Sequence, residues 1–442
     1  MCTTLVVGRK RSATGHVLLA HSEELGRNSA HKVCVIPGRD VPPGERFPLH
    51  SSGSLDQPGR TLRHLATRIF DKRHYPGDHT SGINEHGVAA VNNLAIMRGV
   101  PEARMYDVIP GGIIWTEFLQ LVLERATSAR QGATLVQEFN GRHGLSCDSG
   151  TMIAIVDPDE AWWVELARDG QCAAERVGDD EVSVRANCYR IGARREGAAA
   201  TTTAAPGLAD YAASKGWPAD SPPRFAETFG DPANQEDRYN LDRHEVLEGK
   251  LRGREKVGLS DLMESLREVF EGTPFHRTRP DGSPFRTEVR TIARMNTEAC
   301  TILEPRRGMP PEVAHRMWCC LSTSLSGTFV PFHLGITSVE SHYATAAGRY
   351  DPASAYWLFT ELAKLVDYKY RACADLVRGR WASFENETLA AVAAAEDRLA
   401  GTGPAEAIEA LTAFDQRRAA EAIRVLQDLL DAVKTQAFFE DF

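Results

Sequence analysis

The chain has 442 residues, 42% of them apolar and 25% charged, and carries a formal net charge of −9. Such a length and apolar content fill one large globular domain or two ordinary ones, and an acidic balance without a long basic run excludes an electrostatic nucleic-acid footprint. Nine cysteines, an odd number without CxxC pairs or His-rich spacing, argue against a disulfide framework and a structural zinc site and fit a reducing cytoplasm.

Residues 3–7 (TTLVV) and 16–20 (HVLLA) predict two short strands around the loop GRKRSATG, the first beginning directly behind Cys2. The same loop interrupts any apolar signal region, and no apolar run approaches the roughly 20 residues of a membrane span. A soluble cytoplasmic protein with neither membrane nor nucleic-acid partner is expected. SGINEHGVAAVNNLA (81–95) predicts a turn at Asn84 to Gly87 followed by a strand, and residues 116–139 place apolar side chains at helical spacing. TMIAIVDPDEAWWVELA (151–167) reads as two strands around an Asp-Pro-Asp turn, and 179–191 as another strand with Asn187 near its end. Residues 193–235 turn small, Pro-rich and weakly patterned, as an exposed insertion would. Strand-like segments resume at 288–303 and 317–336, and residues 353–442 are amphipathic and helical. Strands with two inserted helices and a helical tail indicate an α+β or layered α/β/β/α protein, taken as a single domain over 2–442.

The chemistry begins at the chain terminus. Removal of Met1 puts a thiol and a free α-amine on the one residue Cys2. A cysteine with a pKa of about 8.5 is mostly protonated at neutrality, whereas an α-amine of pKa about 7.7 to 8.0 accepts the thiol proton and returns it to a leaving amine. One residue then supplies nucleophile and acid/base, and no metal or cofactor is required. By residue type alone, a small buried side chain on a terminal strand is the better account of Cys2.

The opening CTTLVVGRKRSATGHVLLAHSEE resembles the start of peptidase family C69, the dipeptidase and secernin group of N-terminal nucleophile hydrolases. GINEHGVAAVNN, VLERATSARQ, WWVELARDGQCAAERVGDDEVSVRANCYRIG, VFEGTPF, FVPFHLGI and YDPASAYWLF extend the likeness, in order, over nearly the whole chain. The resemblance implies a four-layer αββα sandwich of two face-to-face antiparallel sheets, with the nucleophile Cys2 at a strand end. It implies an acidic residue near the terminal amine, aligned with Glu24, although His21-Ser22-Glu23-Glu24 departs from the family's usual run of Arg or His, then Asn, Glu and Asp. It further implies that Asn187, together with a main-chain or Asn93 donor, serves the oxyanion, and that Asn93, with Asn92 beside it, lines the site. Arg290 and Arg294 are candidates for gripping a substrate carboxylate. Glu165 is a charge on an aromatic strand behind the site, and His333 in VPFHLG reads as a core histidine.

The leading function is a cysteine-dependent amide hydrolase that passes through a thioester on a dipeptide or another small acylated amine. An amine acceptor in place of water makes it an acyltransferase, amide-forming or cyclising enzyme; a decayed site makes it a scaffold. Its expected partner is the small-molecule substrate, and self-association into a homo-oligomer stays open.

Overall fold

Strand and helix boundaries follow from which side chains can be covered. Five consecutive buried residues, Thr3–Val7, make a strand closed on both faces. The computed structural model describes residues 2–24, 29–70, 79–101, 104–192, 202–218, 224–276, 282–399 and 401–439. Their contacts gather into two compact units, one of residues 1–19, 37–64 and 79–258, the other of residues 20–36, 65–78 and 259–442.

In the first unit Thr3–Val7 pairs antiparallel with Val182–Arg185, Thr4 opposite Arg185 and Val7 opposite Val182. A second antiparallel sheet runs through His79–Asn84, Ala89–Ala95, Gly150–Val156, Ala161–Leu166, Cys172–Val177 and Thr202–Ala204. The expected turn joins its first two strands. Gly87 takes a positive φ of 75° there, while Asn84 Oδ1 accepts from the amides of His86 and Val88. Side chains alternate across each strand. Val88, Ala90, Ile153, Ile155, Val164 and Leu166 therefore join a core with Phe118, Leu119, Val122, Ala133 and Val136 of the helices Trp115–Arg125 and Ala129–His143. The pattern at 116–139 breaks into these two helices because Ser128 caps the second, its hydroxyl accepting from Gln131 N at 3.2 Å.

The opposite face of that sheet meets the Thr3–Val7 and Val182–Arg185 pair. Thr4 Oγ1 donates to Asn93 Oδ1 at 2.5 Å and Trp163 Nε1 to Ser183 Oγ at 3.1 Å. Thr3, one residue from Thr4, points the other way, toward the helix Arg238–Arg252. Helices, sheet, sheet and helix are thus the layers of this unit. The described part of 193–235 is less exposed than its composition suggests. Phe225 and Phe229, one helical turn apart, stack at 4.7 Å and bury, with Tyr189 edge-on to Phe225 at 5.2 Å. Residues 193–201 and 219–223 of that stretch lie outside the described residues.

The second predicted strand falls later than its composition suggests, at Leu18–Glu23, which draws His21, Ser22 and Glu23 into the strand. In the second unit its residues 20–23 run beside Ala299–Glu304, followed by Arg316–Leu321 and Val330–His333. The expected strand at 288–303 shrinks to Ala299–Glu304, with turns and loop before it. The helical tail is Ala355–Tyr368, Tyr370–Leu399 and Pro404–Phe439. His333 ties it to the sheet: Nδ1 meets Asp415 Oδ1 at 2.9 Å and Nε2 meets Glu396 Oε1 at 3.1 Å. Burial alone would lower the pKa of this imidazole, but the two carboxylates outweigh it and raise it. Among the described residues no helix is long and apolar enough to cross a membrane.

Candidate active site

Cys2 is 2% exposed. Continuing the register of Thr4 opposite Arg185 by two residues sets Cys2 across from Asn187, just past the end of the paired strand. A side chain not singled out in the sequence joins the two. Arg243, fully buried on the helix Arg238–Arg252, donates from Nη1 to Cys2 O at 2.9 Å and Thr3 Oγ1 at 3.0 Å, and from Nη2 to Asn187 Oδ1 and Asn240 Oδ1, each at 2.9 Å. Only a planar guanidinium reaches four acceptors on three segments in this way. With its oxygen held by Arg243, Asn187 donates from Nδ2 to Leu94 O at 2.9 Å. Asn187 is held by its backbone as well, its N–H donating to Asn240 Oδ1 at 3.1 Å and its carbonyl accepting from Asn234 Nδ2 at 2.8 Å. His244 Nε2 accepts from Ala186 N at 2.8 Å. Asn240, Arg243 and His244 stand at i, i+3 and i+4 and so share one helix face, a spacing that by itself does not point to Cys2 or Asn187.

Asn93 and Asn92 separate because neighbours in a strand face opposite ways. Asn93 looks toward the Thr3–Val7 pair, accepting from Thr4 and donating from Nδ2 to Arg185 O at 3.0 Å and Ala186 O at 2.8 Å. Both its amide hydrogens are thereby spent on the strand that delivers Asn187. Asn92 lies on the helix-facing parity with Ala90, away from that group. Glu165 falls into the same cross-strand row as Asn93, through Met152. Its carboxylate accepts from the amides of Arg190 at 2.7 Å and Ile191 at 3.1 Å, just beyond Asn187, and stands 3.8 Å from Arg185 Nε. Burial pushes its pKa up to about 7 in spite of Arg185 and the two amides. Arg185 itself lies over the Trp163 ring at 5.1 Å.

The remaining candidates sit in the second unit. His21 Nε2 and Glu23 Oε2 are 3.1 Å apart and buried; although burial opposes it, the hydrogen bond with His21 holds the Glu23 carboxyl below the usual range. Glu24, on the other parity, is fully buried and accepts from Arg290 Nη2. The two carboxylates of HSEE thus have separate partners, and Arg290 is occupied by Glu24 rather than open to a substrate. Arg294 lines a cavity of about 490 Å³ with Phe285, Arg286, Glu288 and Asn296.

No two of the nine cysteines are bonded to each other. Burial raises the pKa of Cys34, Cys147, Cys172, Cys188, Cys300, Cys319 and Cys320, to about 11 for Cys188 and about 12 for Cys300, which keeps them as inert thiols at neutral pH.

Comparison with known proteins places the chain among relatives of similar length. "Probable dipeptidase B" of Lactococcus lactis is 24% identical over 439 residues, covering 90% of each chain. "Probable dipeptidase A" of Streptococcus pyogenes is 23% identical over 395 residues, 84% of this chain and 83% of the relative. "Probable dipeptidase" of Salmonella dublin is 24% identical over 361 residues, 76% and 81% respectively. The sequence model of Peptidase family C69 matches residues 1–383. The chain therefore belongs to Peptidase family C69 and is a hydrolytic enzyme acting on amide bonds.

Proposed function

We propose that Cys2, once Met1 is removed, is the nucleophile of a dipeptidase. The α-amine takes the thiol proton as sulfur attacks the scissile carbonyl. The oxygen of the tetrahedral intermediate accepts a hydrogen bond from Asn187 Nδ2. The C–N bond then breaks, the leaving amine carries away the proton held by the α-ammonium, and water cleaves the thioester to release the acid and restore Cys2. The observation that carries this reading is the Arg243 guanidinium, which fixes the Cys2 carbonyl and the Asn187 side chain at 2.9 Å each. A donor preorganised at the oxyanion contributes about a hundredfold or more in rate. Asn93 and Glu165 act as positioning residues for the strand end that bears Asn187. The dipeptide substrate rests on the names of the relatives. His21 and Glu24 enter through the family resemblance, and Arg294 as a cation able to grip a substrate carboxylate.

The test joins intact mass with turnover. The active protein should lack Met1, and Cys2→Ala should abolish dipeptide cleavage while leaving the far-ultraviolet circular dichroism unchanged. Acyl transfer to an added amine exceeding hydrolysis would reassign the enzyme as a transferase. Undiminished turnover in Cys2→Ala would remove Cys2 from the chemistry.

A further inference from the structure

Away from Cys2, the first unit contains a cavity of about 240 Å³ built where the sheet meets the 193–235 segment. Its walls are Met97 to Val100, Ala167 and Arg168 at strand ends, and Tyr211, Lys215, Trp217 and Phe229 from that segment. The three rings pack on one another: Tyr211 stacks on Phe229 at 5.9 Å, and Trp217 stands edge-on to Tyr211 at 6.0 Å and to Phe229 at 5.7 Å. Gly99, at φ 75°, lets the indole approach to 3.4 Å of where a Cβ would stand. Tyr211 is fixed by its hydroxyl, which donates to Asp169 Oδ2 at 2.7 Å.

The charged side chains that line this cavity, Arg98, Arg168 and Lys215, are all positive, and two carboxylates stand behind the wall, Asp169 on Tyr211 and Asp148 on Arg168. Arg168 is neutralised by Asp148, with Nε donating to Oδ1 at 2.9 Å. Arg98 donates to the backbone oxygens of Thr228 at 3.0 Å and Glu227 at 2.8 Å, which orient its guanidinium without cancelling its charge. The Lys215 ammonium lies over the Tyr211 ring at 5.1 Å and, among the described residues, has no carboxylate partner. Two uncompensated cations beside an aromatic wall, on a chain of net charge −9, select an anion with a flat apolar body. The volume decides the size. A cavity of about 150 Å³ holds a benzene ring, so 240 Å³ takes one ring and a short carboxylate arm.

We propose that this cavity is a binding site for a small aromatic carboxylate, its ring against Tyr211, Trp217 and Phe229 and its carboxylate toward Lys215 and Arg98. The site is independent of the chemistry assigned to Cys2. The test is calorimetric titration of the whole protein at low salt with 3-phenylpropanoate, and with phenethylamine as the oppositely charged probe of matching shape. 3-Phenylpropanoate should bind saturably and phenethylamine at least about tenfold more weakly. Trp217→Ala and Lys215→Glu should each weaken the acid by about fivefold or more, the second at an exposed side chain that leaves the fold intact. Cys2→Ala should leave its affinity unchanged. Equal binding of the two probes, affinity indifferent to both cavity substitutions, or loss of binding in Cys2→Ala would each overturn the proposal.

Discussion

Replacing Arg243 by leucine removes a guanidinium that donates to Tyr239 O at 2.7 Å, Cys2 O at 2.9 Å, Thr3 Oγ1 at 3.0 Å, and the Asn187 and Asn240 side-chain oxygens at 2.9 Å. Asn240 Oδ1 keeps the Asn187 amide as a donor, and the Thr3 hydroxyl can rotate, so about two or three acceptors are stranded without water. At roughly 1–3 kcal/mol for each buried unsatisfied group, the loss of stability should be about 3–5 kcal/mol. Turnover should fall further than stability accounts for. Asn187 loses the bond that aims its amide, and a displaced oxyanion donor costs about a hundredfold in rate. Arg243→Lys keeps the charge but satisfies one or two acceptors in place of five, and should lower kcat/KM by at least about tenfold. The assay pairs urea unfolding with kcat/KM on a dipeptide for Arg243→Leu, Arg243→Lys, Asn187→Ala and the double variant Arg243→Leu/Asn187→Ala. The losses of the two single variants should not add, because Arg243 acts in part through Asn187. A folded Arg243→Lys with kcat/KM within about twofold of the parent, or fully additive losses, would refute this reasoning.

Two further predictions concern pH. Glu165 has a folded pKa of about 7 against an ordinary 4.5, so between those values the native state holds a proton that the unfolded chain has released, and stability falls as pH rises by up to ~3 kcal/mol. Urea midpoints for Glu165→Gln should show that slope removed; an unchanged slope would place the proton elsewhere. His333 behaves oppositely in cause and alike in direction. Its folded pKa is raised by Asp415 and Glu396 against burial, so its contribution is complete below an ordinary histidine pKa of about 6.5 and disappears as pH climbs through the raised value. Thermal melts of the parent should lose stability on the alkaline side, and His333→Gln should start lower and lose less; parallel curves would contradict it.

The strand behind Cys2, the Asn84 turn and the helical tail were all legible in the sequence, because each rests on local signals: a run of apolar and β-branched residues, a turn sequence, or apolar side chains at a fixed period. The boundaries at 16–20 and 288–303 were not, since burial by neighbouring strands decides where a strand ends. Phe225 and Phe229 were masked by the small and Pro-rich residues around them.

Composition and periodicity alone determined an α+β protein with a thiol at its start, and the ordered sequence blocks pointed to an amide-cleaving family. What only the tertiary structure decided is how the polar residues are shared out. Asn93 faces the Thr3–Val7 pair and Asn92 does not, because alternation in a strand acquires meaning only when its two faces meet different layers. Glu23 goes to His21 and Glu24 to Arg290 for the same reason. Arg243 stands 241 residues from Cys2 in sequence, a separation no local pattern spans; folding brings its guanidinium to the strand end, where buried acceptors require a donor.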